Sequence, residues 1–257
     1  MKKSTVLCLL LVAWIALAGN AAPREFYELR IYRFKTAEQQ TRTENYLEKA
    51  FIPAMHRMGI KKIGIFKPVE TDTTFGKKLY VLIPFRSMDE FVALDEKLTK
   101  DKVYAADGTD YIDAKFDNPP YDRIEKIVLK AFSGMPQVAV PDLKSPVSER
   151  IYELRSYEGH TEKIYQNKVK MFNAGDEVGL FKRLGFNAVF YGEVLSGARM
   201  PNLMYMTSFE NQAERDAHWK AFSADPQWKT LSAMPEYQKN VSKNVQTFLR
   251  PTQYSDL

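Results

Sequence analysis

The chain repeats one of its own segments, and this repeat limits the folds open to it. The motif Tyr-Glu-Leu-Arg occurs at residues 27–30 and returns at residues 152–155, which is 125 residues later. An Arg-x-Gly-x element follows in both halves, at residues 57–60 and 183–186. Because self-similarity of this kind marks a structural unit that occurs more than once, we interpret the chain as two related units in tandem.

Each half shows the same order of hydrophobic periodicities, namely strand, helix, strand, strand, helix, strand. In the first half the predicted elements cover residues 25–34, 37–58, 62–70, 78–85, 88–99 and 123–132. In the second half they cover residues 150–158, 161–184, 187–196, 202–209, 212–222 and 243–251. This order is that of a ferredoxin-like unit, in which one antiparallel sheet carries two helices on one face. The predicted fold class is therefore α+β.

A proline-containing segment separates the two halves. Residues 133–148 contain three prolines and show no helical periodicity, which is typical of a linker. We therefore predict a first domain at residues 24–132, a linker at residues 133–148 and a second domain at residues 149–257.

Residues 1–21 have the layout of a secretory signal peptide. Two lysines precede an apolar run at residues 6–18, and small residues follow. The run is too short to span a bilayer comfortably, so a cleaved signal is favoured over a retained anchor. We expect cleavage after Ala18 or Ala21 and a secreted or periplasmic mature protein. That protein would contain no cysteine, because Cys8 is the only one.

Charge and motif content argue against several functional classes. The 37 basic and 32 acidic residues are interspersed, so we predict no nucleic-acid partner. Glu214 and His218 are four residues apart and could supply two metal ligands, but the sequence indicates no third. The motifs of phosphate loops and of nucleophile elbows are missing from the sequence. We therefore predict neither a metal site nor a cofactor.

The second half resembles the NIPSNAP family. The resemblance rests on the opening YELRSY, on the strand NLMYMTSF and on the run NQAERDAHWKAFSADPQWK at residues 211–229. The first half keeps YELRIY and MHRMGI but has residues 101–122 where the second half has its Asp-Pro-x-Trp turn, so we interpret it as a divergent NIPSNAP-like copy. The resemblance implies a dimeric α+β barrel in which two ferredoxin-like sheets pack face to face. Two tandem units could form that pair within one chain, as a pseudodimer, or between chains, as a homodimer. The resemblance names no reaction.

The repeated strand has two chemically different faces, because side chains alternate along a strand. We expect the more apolar face, which includes Leu29 and Leu154, to pack beneath the helices. The charged face should then look into the barrel lumen. Its residues are Glu28, Arg30, Tyr32, Glu153, Arg155 and Tyr157.

These six residues allow two interpretations. They could anchor a small molecule at the base of a lumenal pocket. They could instead form structural ion pairs that set the register between the sheets, which is favoured because buried charges are usually paired. Trp219 and Trp228 are expected to pack in the core rather than to line a pocket.

Two functional hypotheses follow. The first is an exported, non-enzymatic protein that binds a small apolar or amphipathic ligand or a protein partner. The second is a cofactor-independent enzyme, such as a monooxygenase or isomerase, that acts on a small ring substrate in the lumen. The first is favoured because an arginine beside a carboxylate stabilises its charged form and makes it a weak base. A lumenal cavity of a few hundred Å³ that contains a histidine or an unpaired glutamate would favour the second.

Overall fold

The computed structural model describes residues 22–257, so the predicted signal peptide lies outside the described residues. The strands are β1 Phe26–Arg33, β2 Gly64–Pro68, β3 Lys78–Phe85, β4 Arg123–Ala131, β5 Ile151–Glu158, β6 Asn187–Ser196, β7 Asn202–Phe209 and β8 Lys243–Pro251. The helices of the first half are α1 Ala37–Tyr46, a π-helix at Leu47–Phe51, α2 Ile52–Arg57, α3 Met88–Val92, α4 Leu94–Lys100, α5 Lys102–Asp107 and α6 Thr109–Ile112. Those of the second half are α7 Glu162–Asn173, α8 Glu177–Arg183, α9 Gln212–Ala224, α10 Pro226–Ala233 and a 3-10 helix at Pro235–Tyr237. The predicted order of elements is confirmed in both halves.

The eight strands form one closed antiparallel barrel in the order β1-β3-β2-β8-β5-β7-β6-β4. Each half contributes four neighbouring strands with the same internal order, β4-β1-β3-β2 and β8-β5-β7-β6, which is that of a ferredoxin-like unit. The two units join along their edges, where β2 pairs with β8 and β4 pairs with β6. The predicted pseudodimeric α+β barrel is thus confirmed, and it closes within a single chain.

Apolar side chains from all eight strands fill the lumen. Their strand members are Tyr27, Leu29, Ile31, Phe66, Tyr80, Leu82, Ile127, Leu129, Ala131, Tyr152, Leu154, Val189, Phe190, Val194, Met204, Met206 and Leu249. An eight-stranded barrel has an interior just wide enough for side chains to fill, and this lumen follows that rule along most of its length.

The linker and the C-terminal segment close one end of the lumen. Val138 and Leu143 of the linker, together with Leu257, belong to the lumenal cluster. The backbone N–H of Glu25, just before β1, donates to the carbonyl oxygen of Pro136 at 2.8 Å. The closed end is therefore the one at which β1 and β5 begin, and any opening lies at the end where these two strands finish.

The predicted orientation of the repeated strand is wrong. Leu29 and Leu154 lie in the lumen, whereas the charged face lies on the outside of the barrel, beneath the helices. There, the Arg30 guanidinium carbon is 5.2 Å from the centre of the Phe51 ring in the π-helix. Glu153 is likewise bonded to Arg215 of α9. The physical reason is that a narrow, dry lumen offers no partners to a charged pair, while the helices supply them.

Within residues 22–257, none of the helices combines the length and the apolar character needed to cross a membrane.

Candidate functional site

Glu153 lies at the centre of a charged cluster between the sheet and the helices of the second half. Its side chain is 0% exposed. Arg155 Nε donates to its Oε1 at 2.7 Å, and Arg215 donates to both carboxylate oxygens at 2.8 and 2.9 Å. Trp219 Nε1 adds a fourth donor at 2.7 Å from Oε2. The buried carboxylate is therefore fully hydrogen-bonded, as a charge in such a position must be.

The start of α9 positions these partners. Asn211 caps the helix, its side-chain oxygen accepting from the N–H of Glu214 at 3.0 Å. Arg215 and Trp219 follow four residues apart and so share one helix face. The Trp219 ring also covers the guanidinium carbon of Arg155 at 3.7 Å. Arg215 was not among the predicted partners of Glu153. The Arg-x-x-x-Trp spacing was the signal that could have found it.

The first half lacks these helix partners. Glu28, also 0% exposed, is bonded to Arg30 at 2.7 Å and lies 3.6 Å from Lys126. Counting from the helix caps, Phe91 and Asp95 stand where the second half has Arg215 and Trp219. Among residues 22–257, the second carboxylate oxygen of Glu28 has no hydrogen-bond partner.

A cluster of tyrosines covers the first-half pair instead. Tyr111 OH donates to Tyr32 OH at 3.2 Å, and the hydroxyls of Tyr46 and Tyr104 are 2.8 Å apart. The rings of Tyr46 and Tyr111 stack with their centres 3.6 Å apart. Burial raises the pKa of Tyr46 and of Tyr111 well above that of a free phenol. These hydroxyls therefore stay protonated and act as hydrogen-bonding groups rather than bases.

A second buried ion pair lies beside the Glu153 cluster, and the sequence analysis missed it. Lys168 Nζ is 2.8 Å from Glu177 Oε2, with both side chains almost fully buried. The ammonium group also lies 4.6 Å from the centre of the Phe172 ring. Burial raises the pKa of Glu177, and the charge of Lys168 opposes that rise. No periodic pattern marks either residue, so only the fold brings them together.

The six residues predicted as ligand anchors therefore form two separate groups, one beneath the helices of each half. None of them lines the cavity in the lumen, so the lumenal part of that prediction is wrong. Their interpretation as structural ion pairs agrees with the contacts, although each pair forms within one strand rather than between sheets. The prediction for Trp219 and Trp228 is confirmed, because both rings pack against Phe222 in the aromatic core of the second half.

Two of the three histidines make structural contacts. His56 Nε2 is 2.8 Å from a carboxylate oxygen of Asp256, and His218 Nδ1 is 2.7 Å from the carbonyl oxygen of Leu184. In the part of the chain that the structure describes, no three His, Cys, Asp or Glu side chains converge on a possible metal position.

A cavity of about 110 Å³ lies at the open end of the lumen. Along the lumenal face, the apolar Ile31 is followed by Arg33, and Leu154 is followed by Ser156, so the lining turns polar towards solvent. The apolar floor is formed by Ile31, Ile127, Leu154 and Met204. The polar wall and rim are formed by Arg33, Lys78, Tyr80, Glu125, Ser156, Arg199, Asn202 and Thr247. The cavity thus combines an apolar interior with charged groups at its entrance.

A wider groove of about 670 Å³ follows residues 111–123 on the outer surface. Most of its lining is exposed, and Phe116 is 102% exposed. A ligand there would keep much of its water, whereas the lumenal cavity would bury more of a ligand's surface.

Comparisons with known proteins agree with this architecture. Residues 152–256 match the NIPSNAP family model. No curated protein matches the chain. Among solved structures, a monooxygenase-like protein from Lactobacillus acidophilus NCFM is 12% identical, with a TM-score of 0.56 over 89% of this chain and 94% of that chain. A second monooxygenase-like protein, from Fusobacterium nucleatum, is 8% identical, with a TM-score of 0.54 over 89% and 93%. An anthrone oxidase-like protein is 10% identical, with a TM-score of 0.53 over 90% and 93%. At these identities the likeness shows the shared barrel fold alone.

Proposed function

We propose that the whole barrel, whose residues 152–256 match the NIPSNAP family model, binds a small amphipathic molecule at the open end of its lumen without transforming it. One observation carries this proposal. At its open end the lumen forms a blind cavity with an apolar floor and a charged rim, and the opposite end is closed by the linker and the C-terminal segment. Ligand sites in proteins are typically concave and mostly apolar, with a few convergent polar groups.

The size of the cavity limits the ligand. The cavity has a volume of about 110 Å³. It is smaller than the apolar cavity of about 150 Å³ that takes up benzene, a ring of six carbons, in another protein. The buried part of the ligand is therefore a chain of about four carbons rather than a substituted ring.

Binding is favoured over catalysis because the lumen offers no poised base among its described residues. The cavity lining contains no histidine, and its one glutamate, Glu125, is bonded to Arg33 at 2.9 Å. Glu28 and Glu153, the candidates for a lumenal base, lie outside the barrel. A small ring substrate of the kind that the monooxygenase hypothesis needs would also exceed the cavity.

We expect straight-chain alcohols to bind with an affinity that rises with chain length and then stops rising. Each buried methylene contributes about 0.8 kcal/mol, or about fourfold in affinity, up to about four carbons. Beyond that length the chain must leave the cavity. Chemical-shift titration by NMR with 1-propanol to 1-octanol measures the trend and reports which residues respond.

Filling the cavity should abolish this trend. In Ile127→Phe the added ring occupies the floor, and the alcohols should lose at least tenfold in affinity, while Val92→Phe adds a ring at a side chain that is 73% exposed and should change nothing. A chain-length trend that survives in Ile127→Phe, or shifts confined to the outer groove, would place the ligand elsewhere and overturn the proposal.

We also propose that the protein is exported, on the grounds of the basic and apolar segments within residues 1–21. N-terminal sequencing of protein from its own host should then find a chain that begins shortly after Ala18 or Ala21. Recovery of an intact Met1 from the soluble cytosol would contradict export.

A further inference from the structure

Not every charged side chain at the rim of the lumenal cavity has a partner of opposite charge. Arg33 is bonded to Glu125 at 2.9 Å, and Arg199 lies 3.8 Å from Glu158. Lys78 is the third basic residue of the rim, and among residues 22–257 it has no carboxylate oxygen within 4.0 Å. The entrance therefore carries one positive charge without a direct counter-charge.

The surroundings of Lys78 destabilise its charged form. Lys78 is partly buried, and burial lowers its pKa. The positive charges of Arg33 and Arg199 lower this pKa further, and the negative charges of Asp72 and Glu125 oppose them only in part. An anion bound at the entrance would stabilise the charged form of Lys78 and so offset the cost of its burial and of its repulsion by the two arginines.

A neutral hydrogen-bond donor lies on the same lumenal face. Tyr80 is 4% exposed and lines the cavity two residues after Lys78, so both side chains point into the lumen. Burial raises the pKa of Tyr80 to about 12, so its hydroxyl keeps its proton. An ammonium and a hydroxyl on one side of a cavity with an apolar floor are suited to the two oxygens of a carboxylate.

We propose that the ligand is a short-chain monocarboxylate whose carboxylate binds Lys78 and whose hydrocarbon chain enters the lumen. This inference rests on the proposed binding function and specifies its ligand class. A single unmatched cation favours one negative charge over two, and the small apolar floor favours an unbranched chain of about four carbons beyond the carboxylate. Ser156 and Asn202 bond to each other at 2.8 and 3.0 Å, so their polar groups already have partners. Lys78 is therefore the residue that we expect to contact the carboxylate.

Three ligands with five carbons each distinguish the contribution of the head group to affinity from that of the hydrocarbon chain. Pentanoate should bind about tenfold more tightly than 1-pentanol, because a charge-assisted bond at a partly buried site adds to the same chain burial. Pentylamine should bind more weakly than either, since it brings a second positive charge to Lys78. Titration calorimetry and NMR titration on the full-length mature chain measure all three.

Variants then test the role of Lys78. Lys78→Met should remove the advantage of pentanoate over 1-pentanol and leave 1-pentanol within twofold. Lys78→Arg should keep most of that advantage. Lys220→Met makes the same charge change on the exposed surface of α9 and should alter neither ligand. Circular dichroism confirms that each variant is folded before titration.

The outcomes distinguish this inference from the function on which it rests. If pentanoate and 1-pentanol bind equally well, or if Lys78→Met weakens both alike, the carboxylate assignment is overturned while ligand binding stands. If none of the three ligands binds, the proposed function is overturned as well.

Discussion

Arg30→Met is expected to lower the free energy of unfolding by about 4 kcal/mol, because it strands a buried carboxylate. Glu28 is 0% exposed, and in the described chain its charged partners are Arg30 at 2.7 Å and Lys126 at 3.6 Å. Methionine retains much of the apolar volume of arginine, so the loss reports the unpaired charge rather than a cavity. Urea unfolding followed by circular dichroism at neutral pH measures it.

The second half provides the matched comparison. Arg155→Met removes the equivalent arginine, but Arg215 and Trp219 still hold Glu153, so the expected loss is only about 2 kcal/mol. The double variant Glu28→Gln with Arg30→Met should recover more than half of the larger loss, because a neutral amide costs less to bury than a charge. Equal losses in the two halves, or double-mutant losses that simply add, would contradict this account of the asymmetry.

The fold was predictable because the repeat carries the topology with it. The predicted strands at residues 78–85 and 202–209 coincide with β3 and β7, and the order of elements in each half admits few arrangements. The closure of the barrel depends on which edge strands meet. The pairing of β2 with β8 and of β4 with β6 is a long-range contact between halves, and no local pattern encodes it.

The orientation of the repeated strand shows the limit of periodicity. Alternation correctly separated Glu28 and Arg30 from Leu29, but it does not state which face points inwards. In an isolated sheet the apolar face would pack against the helices. In a closed barrel the lumen is the drier of the two environments, so the apolar face turns inwards. The charged face then meets Arg215 and Trp219, which lie some sixty residues further along the chain from Glu153.

The cavity could not be predicted from the sequence either. It lies at the open end of the lumen, whereas Val138 and Leu143 of the segment at residues 133–148, together with Leu257, fill the opposite end. Isolated apolar residues between prolines have no period, so the sequence predicts a linker rather than a segment that closes the lumen. The charge pattern of the rim combines the ends of several strands and a loop, and only the closed barrel assembles it.

Lys168→Met is expected to destabilise the fold by about 3 kcal/mol near pH 8 and by much less near pH 5. The pKa of Glu177 is raised by burial even with Lys168 at 2.8 Å, and it must rise further when the charge and the hydrogen bond of Lys168 are lost. A carboxyl whose folded pKa lies above its unfolded value favours folding when protonated. That contribution is complete below the unfolded pKa and is lost as the pH rises through the folded pKa. The deficit of the variant should therefore grow between about pH 5 and pH 8, as measured by urea unfolding at a series of pH values.

Two further variants isolate the pair. Lys170→Met removes a lysine from the same helix whose ion pair with Glu236, at 2.8 Å, is exposed to solvent, so it should leave the free energy of unfolding nearly unchanged at every pH. The double variant Lys168→Met with Glu177→Gln has no carboxyl left to titrate, so it should be more stable than Lys168→Met near pH 8. It should also lose the pH dependence at this site. A deficit in Lys168→Met that is constant from pH 5 to pH 8 would show that the buried carboxylate does not take up a proton, and that the lost packing against Phe172 accounts for the whole effect.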